Sequence, residues 1–226
     1  MSIRHLDKLF APASVAVFGA SERPGRVGTT VWRNLHGQFT GRLYPVNPRH
    51  RTLDGEKAYA SVKALPEAPD LAVICTPADT VVPLIEQLGE RGTRAAIVVT
   101  AGLDKTTRQA MLDAARVHTL RILGPNCIGL LVPRLGLNAS FAHIGASAGD
   151  LAFVSQSGAL VTAMLDWAAA RGIGFSHFVS LGEHADVDFG DLLDHLGSDP
   201  HTRGILLYIE SVDEANPHAP ALRGSL

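Results

Sequence analysis

The sequence predicts an α/β fold with parallel sheets, arranged as two consecutive domains. Short apolar segments rich in β-branched residues alternate with helical patterns, which is the order of parallel βαβ units. Residues 15–18 and 95–99 are continuously apolar, as expected for strands that helices cover on both faces. A chain of 226 residues, 46% of them hydrophobic, is long enough to bury two such cores.

The first domain is predicted at residues 1–132. Its strands are expected at Ser14–Gly19, Arg42–Val46, Asp70–Cys75, Arg94–Val99 and Arg121–Leu123. Its clearer helices are expected at Arg26–His36, Asp79–Arg91 and Asp104–His118.

Residues 133–149 show no sustained period and contain several turn-forming residues, so we expect a linker there. A partial second domain is predicted at 150–210. Its elements are expected as a strand Leu151–Ser155, a helix Ala159–Arg171, a strand Phe175–Ser180, a helix at about 187–196 and a strand Gly204–Ile209. Residues 211–226 are predicted to form an irregular tail. Three strands leave the sheet unfinished, and its open edge indicates self-association.

Composition excludes several functional classes. The formal net charge is −2 and no basic run is long, which argues against nucleic-acid binding. The two cysteines, Cys75 and Cys127, form no metal or redox motif, so no metal site is expected and a reducing compartment fits best. No apolar stretch is long enough for a signal peptide or a membrane span. We therefore expect a cytoplasmic protein that binds small molecules or other proteins.

A glycine loop between the first strand and the first long helix is the main candidate for ligand binding. It runs from Gly19 through Ala20, Ser21 and Gly25 to Gly28. Backbone N–H groups and the helix dipole can hold a phosphate there. The loop alone also fits a tight turn without a ligand.

Two features argue against NAD as the ligand. A dinucleotide fingerprint requires a second glycine where Ser21 stands, and an acidic residue at the end of the second strand, which here ends in Asn47-Pro48. The cations that follow, Arg49 and Arg51, suit a nucleotide with an extra phosphate. Coenzyme A and NADP both fit this pattern, and the residues alone do not decide between them.

Six motifs follow one another between about residue 9 and residue 210. They are Gly19-Ala20-Ser21, Pro45-Val46-Asn47-Pro48, Cys75-Thr76-Pro77-Ala78, Thr100-Ala101-Gly102, Gly124-Pro125-Asn126-Cys127-Ile128-Gly129 and Ser155-Gln156-Ser157-Gly158-Ala159. In this order and spacing, the chain resembles the NDP-forming acyl-CoA synthetases, the family that includes the α subunit of succinyl-CoA synthetase. Each motif alone is weak, but six in register are a specific signal.

The resemblance implies a Rossmann-type CoA-binding domain followed by an incomplete flavodoxin-like domain. It also implies that coenzyme A or acyl-CoA contacts a defined set of residues. These are Gly19, Ala20, Ser21, Gly25, Asn47, Pro48, Cys75, Thr76, Pro77, Thr100, Ala101, Gly102 and Asn126. Asn126 would lie near the reactive end of coenzyme A, whereas structural roles are expected for Cys75 and Cys127.

A second anion site is predicted at Ser155, Ser157 and Gly158, before a helix that carries no early positive charge. N-capping by either serine explains the same residues equally well. The resemblance favours phosphate, because this helix holds a phosphohistidine in the synthetases. It also implies that Glu210 would orient that histidine, and neither His218 nor any other histidine has the expected glycine-rich context.

The resulting prediction is a chain that binds coenzyme A or acyl-CoA and that, without the phosphohistidine or an ATP-grasp domain, does not catalyse ligation alone. The alternative is an α-type subunit or fragment of an ADP-forming acyl-CoA ligase completed by an ATP-grasp partner chain. An NADP-dependent oxidoreductase fragment ranks lower. Residues 136–141, 165–167 and 174–176 are similar to the synthetase-like part of bacterial protein lysine acetyltransferases, although no GNAT acetyltransferase segment is present.

Overall fold

A computed structural model describes residues 3–211 of the protein, and it contains two five-stranded sheets and a small hairpin. The strands in the first part of the chain are β1 (Ser14–Phe18), β2 (Arg42–Val46), β3 (Thr52–Leu53), β4 (Glu56–Lys57), β5 (Leu71–Ile74), β6 (Ala95–Val98) and β7 (Arg121–Leu123). The helices there are α1 (Leu6–Phe10), α2 (Val27–Leu35), α3 (Val81–Arg91) and α4 (Lys105–Val117). Strands β3 and β4 pair only with each other as the hairpin.

The first sheet is parallel and has the order β2-β1-β5-β6-β7. Strands β2 and β5 lie on opposite sides of β1, so the direction in which successive strands are added reverses at β1. Open parallel sheets bind ligands at such a reversal, beyond the carboxyl ends of the strands. The glycine loop after β1 lies at this position.

The second sheet has the order β12-β10-β11-β8-β9. Its strands are β8 (Gly129–Val132), β9 (Leu137–Ser140), β10 (Ala148–Ser155), β11 (Phe175–Ser180) and β12 (Gly204–Tyr208). Its helices are α5 (Gly158–Ala169) and α6 (Phe189–Gly197). Strands β10, β11 and β12 are parallel, whereas β8 runs antiparallel to β11 and to β9.

All eight predicted strands and all five predicted helices are present, and their ends differ from the predictions by three residues or fewer. The linker prediction for 133–149 was wrong, because β9 and the first residues of β10 lie in that segment. The prediction of only three strands in the second sheet was also wrong. Strands β8 and β9 add an antiparallel hairpin. Each has four residues, which is too short to show a periodic pattern of apolar residues in the sequence. The predicted tail lies outside the described residues from 212 onward.

The two sheets share one of the three hydrophobic clusters found among the described residues. A single cluster of buried side chains extends from Leu6 on α1 to Leu196 on α6. Helix α2 packs against β9, and Asn34 Nδ2 donates to the carbonyls of Ser140 (2.8 Å) and Ala142 (2.9 Å). The structured parts of the two predicted domains therefore pack closely against each other. No helix within 3–211 is long and apolar enough to cross a bilayer.

An ion network also connects the two sheets. Arg121 on β7 donates through Nε to Asp186 (3.0 Å) and through Nη2 to Asp191 (2.6 Å). Asp186 also accepts the backbone N–H of Ile122 at 2.7 Å. The Arg121 side chain is only 12% exposed, so this network is largely shielded from water.

His177 on β11 is a buried histidine in an aromatic cluster. Its ring contacts Phe10 edge-on at 5.3 Å between centroids and lies near His195. Its Nδ1 has no hydrogen-bond partner among residues 3–211, and Asp199 Oδ2 is 3.6 Å away. Burial, opposed by the Asp199 carboxylate, lowers the pKa of His177 from 6.5 to about 4. The folded protein therefore holds this ring neutral.

We expect the free energy of unfolding to decrease as the pH falls from about 6.5 to about 4. In this range His177 becomes protonated in the unfolded chain, whereas it stays neutral in the folded protein. This group would account for at most about 3 kcal/mol of the loss. Urea unfolding at pH 7 and pH 4.5 measures it. His177→Leu should flatten the pH dependence even if it lowers stability at pH 7, whereas His50→Gln, at a partly exposed position in the loop after β2, should retain it. Equal slopes for wild type and His177→Leu would contradict the assignment.

Candidate coenzyme A site

The carboxyl ends of parallel strands from both sheets open into one cavity of about 720 Å³. Segments that follow β5, β6 and β7 form one side, and segments that follow β10, β11 and β12 form the other. The cavity is lined by Val27, Cys75, Thr76, Val99, Thr100, Ala101, Asn126, Cys127, Ile128, Phe141, Gln156, Ser157, Gly158, Gly182, Glu183 and Glu210.

The structure brings eight of the predicted site residues together in this lining. They are Cys75, Thr76, Thr100, Ala101, Asn126, Ser157, Gly158 and Glu210. The other predicted residues are not in the lining; they belong to the glycine loop, to the turn after β2, or to positions next to lining residues. They are Gly19, Ala20, Ser21, Gly25, Asn47, Pro48, Pro77, Gly102 and Ser155.

The glycine loop is in close backbone contact with α2 and β5. Gly19 has a φ of +86°, which side chains rarely adopt, and a Cβ there would lie 3.0 Å from the Cys75 carbonyl oxygen. A Cβ on Gly28 would lie 2.0 Å from the carbonyl oxygen of Gly19. Two glycines are therefore required for the loop to pass between strand and helix. Val27, the first residue of α2, lines the cavity.

Asn47 supports this loop from the neighbouring strand. Its Nδ2 donates to the carbonyl of Ala20 at 2.8 Å, and its Oδ1 accepts the backbone N–H of Arg49 at 3.0 Å. Ser21 is buried, and its Oγ accepts the N–H of Arg23 at 3.1 Å. Both polar side chains thus make hydrogen bonds that fix the shape of the loop.

The segments that follow β5, β6 and β7 are joined by threonine and backbone hydrogen bonds. Thr100 Oγ1 donates to the carbonyl of Thr76 at 2.7 Å, and the N–H of Asn126 donates to the carbonyl of Thr100 at 3.0 Å. Burial raises the pKa of the Cys75 and Cys127 thiols to about 12 in each case. Both thiols are therefore protonated at neutral pH, as a structural role requires.

The turn at Gly124 to Asn126 connects the two halves of the site. Asn126 has a φ of +56°, a left-handed conformation that asparagine tolerates better than most residues. The carbonyl of Pro125 accepts the N–H of Glu183 at 3.0 Å. A Cβ on Gly182 would lie 2.4 Å from the carbonyl oxygens of Pro125 and Asn126. The loop after β11 is therefore fitted directly onto this turn.

Sequence reasoning missed Gly182 and Glu183. Glu183 Oε1 accepts a long hydrogen bond from Asn126 Nδ2 (3.5 Å), and its Oε2 accepts one from Arg108 on α4 at 3.1 Å. The position of Glu183, three residues past a predicted strand and therefore at the ligand-binding edge, was the signal that could have found it.

The start of α5 presents backbone N–H groups to the cavity. Ser155 is fully buried, and its Oγ accepts the N–H of Ser157 at 3.0 Å. Ser157 is the N-cap residue, but its side chain makes no capping hydrogen bond. Of the two serines, only Ser157 lines the cavity, together with Gly158. An anion at this helix end would find the Ser157 hydroxyl and the first N–H groups of α5 available.

Gln156 fixes the end of β12 beside this helix. Its Oε1 accepts the N–H groups of Glu210 (2.5 Å) and Ser211 (3.1 Å), and its Nε2 donates to the carbonyl of Ser211 (3.1 Å). These three bonds hold Glu210 at the cavity wall. Sequence reasoning gave no role to Gln156, because its partners are more than fifty residues away.

Comparison with known protein families supports coenzyme A as the ligand of this site. The family described as CoA binding domain matches residues 13–133, which is more than half of the chain. The chain belongs to this family. A second family, the succinyl-CoA ligase-like flavodoxin domain, matches residues 148–224. The two matches confirm the resemblance to NDP-forming acyl-CoA synthetases, and they favour coenzyme A over NADP as the ligand of the CoA-binding domain.

Two relatives that match almost the whole chain are named as ligases. The chain is 38% identical over 215 residues to the acetate–CoA ligase (ADP-forming) II subunit alpha of Pyrococcus furiosus, covering 92% of this chain and 47% of that one. It is equally similar to the acetate–CoA ligase (ADP-forming) I of Archaeoglobus fulgidus, covering 31% of that protein. The chain thus spans between about a third and a half of the length of these relatives.

Solved structures give the same result. The dinucleotide-forming acetyl-coenzyme A synthetase 1 of Ca. Korarchaeum cryptofilum, in complex with phosphate and ADP, has a TM-score of 0.89 and 38% identity. The alignment covers 93% of this chain and 46% of that one. This similarity confirms the predicted order of a Rossmann-type CoA-binding domain and a flavodoxin-like domain. The narrower similarity to lysine acetyltransferases stays a prediction.

Proposed function

We propose that the glycine loop and the cavity together bind coenzyme A or acyl-CoA within an α-type component of an ADP-forming acyl-CoA ligase. The single observation that carries this proposal is that the carboxyl ends of parallel strands from both sheets line one cavity. A nucleotide on the first edge can therefore direct its thiol toward a group bound on the second. The loop from Gly19 to Gly25, with Asn47-Pro48 behind it, would hold the nucleotide phosphates.

The segments at Cys75 to Pro77 and at Thr100 to Gly102 would contact the pantetheine arm of coenzyme A. Asn126 would lie beside the thiol end, where its amide can donate to a thioester carbonyl. On the opposite wall, Ser157 and Gly158 would bind a phosphoryl group at the start of α5, near Glu210. Ser155 would support this site from behind, through its hydrogen bond to the N–H of Ser157.

Isothermal titration with coenzyme A tests the site. Wild type should bind, and Ala101→Glu should weaken binding at least tenfold, because a carboxylate would enter a cavity used by an anionic ligand. Ala101 lines the cavity and is exposed. The matched control is Ala110→Glu on the exposed side of α4, which should leave affinity unchanged. Equal affinities for wild type and Ala101→Glu would place coenzyme A elsewhere.

We further propose that an ATP-grasp partner chain completes the ligase. The Pyrococcus furiosus relative is named as an alpha subunit, and the second matched domain is the succinyl-CoA ligase-like one. Self-association through the open edge of β12 stays an alternative, since this strand pairs on one side only among the described residues. The two free cysteines fit the proposed cytoplasmic location, where thiols stay reduced.

A further inference from the structure

The charged side chains of the cavity wall are all acidic. Among the lining residues that the structure describes, Glu183 and Glu210 are charged, and there is no lysine, arginine or histidine. Much of the remaining lining near Asn126 is apolar, including Val99, Ile128 and Phe141. An anionic group beside Asn126 would meet the Glu183 carboxylate, with no lysine, arginine or histidine among the described lining residues.

Glu183 is the carboxylate held closest to Asn126. Its backbone N–H is bonded to the carbonyl of Pro125, and its two carboxylate oxygens accept from Asn126 and from Arg108. Arg108 on α4 forms an ion pair with this carboxylate at 3.1 Å but does not line the cavity, so the cation lies behind the carboxylate as seen from the cavity. The Glu183 side chain is 29% exposed, which leaves part of it in contact with the cavity space.

We propose that Glu183 is a specificity-determining residue that excludes acyl groups carrying a second negative charge. This inference rests on the proposed function, since it requires the acyl end of acyl-CoA to lie beside Asn126.

The selection follows from like charge in a partly enclosed space. The second carboxylate of a dicarboxylic acyl group would lose water on entering the cavity and would face the Glu183 carboxylate. An uncharged acyl group of the same size loses no such hydration and can pack against Ile128 and Phe141. A hydroxyl on the acyl chain could donate to Glu183 Oε1, which accepts the long 3.5 Å bond from Asn126 and no shorter one among residues 3–211. Selection by an unfavourable contact therefore acts on charge and not on size.

Two ligands of equal size separate charge from shape, namely succinyl-CoA and its terminal amide, succinamoyl-CoA. Titration calorimetry with wild type should give at least tenfold tighter binding for the amide. Glu183→Gln should bring the two affinities to within about twofold, mainly by strengthening the binding of succinyl-CoA. The matched control, Glu86→Gln on the exposed side of α3, should keep the wild-type ratio.

Coenzyme A itself, titrated in parallel, tests the proposed function independently. Loss of binding for all three ligands would overturn the site, whereas coenzyme A binding with an amide-to-acid ratio near one would overturn only the role of Glu183. A ratio that Glu183→Gln leaves unchanged would do the same. If that variant does not fold, the amide-to-acid affinity ratio of wild type is compared at 0.05 M and 0.5 M salt. Screening by salt should reduce this ratio if it depends on charge, but not if it depends on shape.

Discussion

Replacing Arg121 with methionine is expected to lower the free energy of unfolding by about 3–5 kcal/mol, because removing one member of a buried ion network leaves charges without compensation. Asp186 and Asp191 would both lose the guanidinium, and the Asp191 side chain is only 8% exposed. The side-chain hydrogen bonds from Arg121 to these two carboxylates would be lost with it. Urea unfolding followed by circular dichroism measures the loss.

The matched control is Arg116→Met on α4. Arg116 pairs with Asp113 at 3.1 Å, but its side chain is 71% exposed, so the change should cost no more than about 0.5 kcal/mol. Adding Asp191→Asn to Arg121→Met should restore part of the stability, since the largely buried negative charge that Arg121 balanced is removed with it. A loss below about 1 kcal/mol for Arg121→Met would show that the network contributes little.

Gly28→Ala is expected to reduce coenzyme A affinity at least tenfold and to lower stability by about 1–3 kcal/mol. The added Cβ would lie 2.0 Å from the carbonyl oxygen and 2.7 Å from the carbonyl carbon of Gly19. Both contacts are with backbone atoms, so no side-chain rotation can relieve them. Either α2 or the glycine loop has to move, and the loop then loses the conformation proposed to hold the phosphates.

Gly197→Ala at the end of α6 is the control, since a Cβ there has no atom within 4 Å. That variant should keep wild-type affinity and be unchanged or up to about 1 kcal/mol more stable. Titration calorimetry and thermal unfolding of both variants provide the comparison. Wild-type binding by Gly28→Ala would show that the close approach of loop and helix is not needed for the ligand.

The amino-acid sequence determined the order of elements and the identity of the ligand-binding edge. Continuous apolar runs define buried parallel strands, since helices on both faces remove the alternation seen in half-exposed strands. Glycines that follow β1 predicted the loop because only residues without a Cβ tolerate its conformation and contacts. The order of the motifs identified the family. Eight of the predicted site residues lie in the cavity because the ends of strands can be recognised from local sequence.

The tertiary structure decided what depends on distant partners. Strands β8 and β9 joined the second sheet because β8 pairs with β11, about fifty residues away, and no local period marks a strand of four residues. Gln156 and Glu183 became part of the site through bonds to Glu210, Asn126 and Arg108, none of them a sequence neighbour. The hydrogen bond from Asn47, a predicted ligand contact, to the Ala20 carbonyl also depends on the tertiary structure. Packing between the two sheets decides which side chains face a ligand and which side chains hold those in place. That packing depends on residues far apart in the sequence.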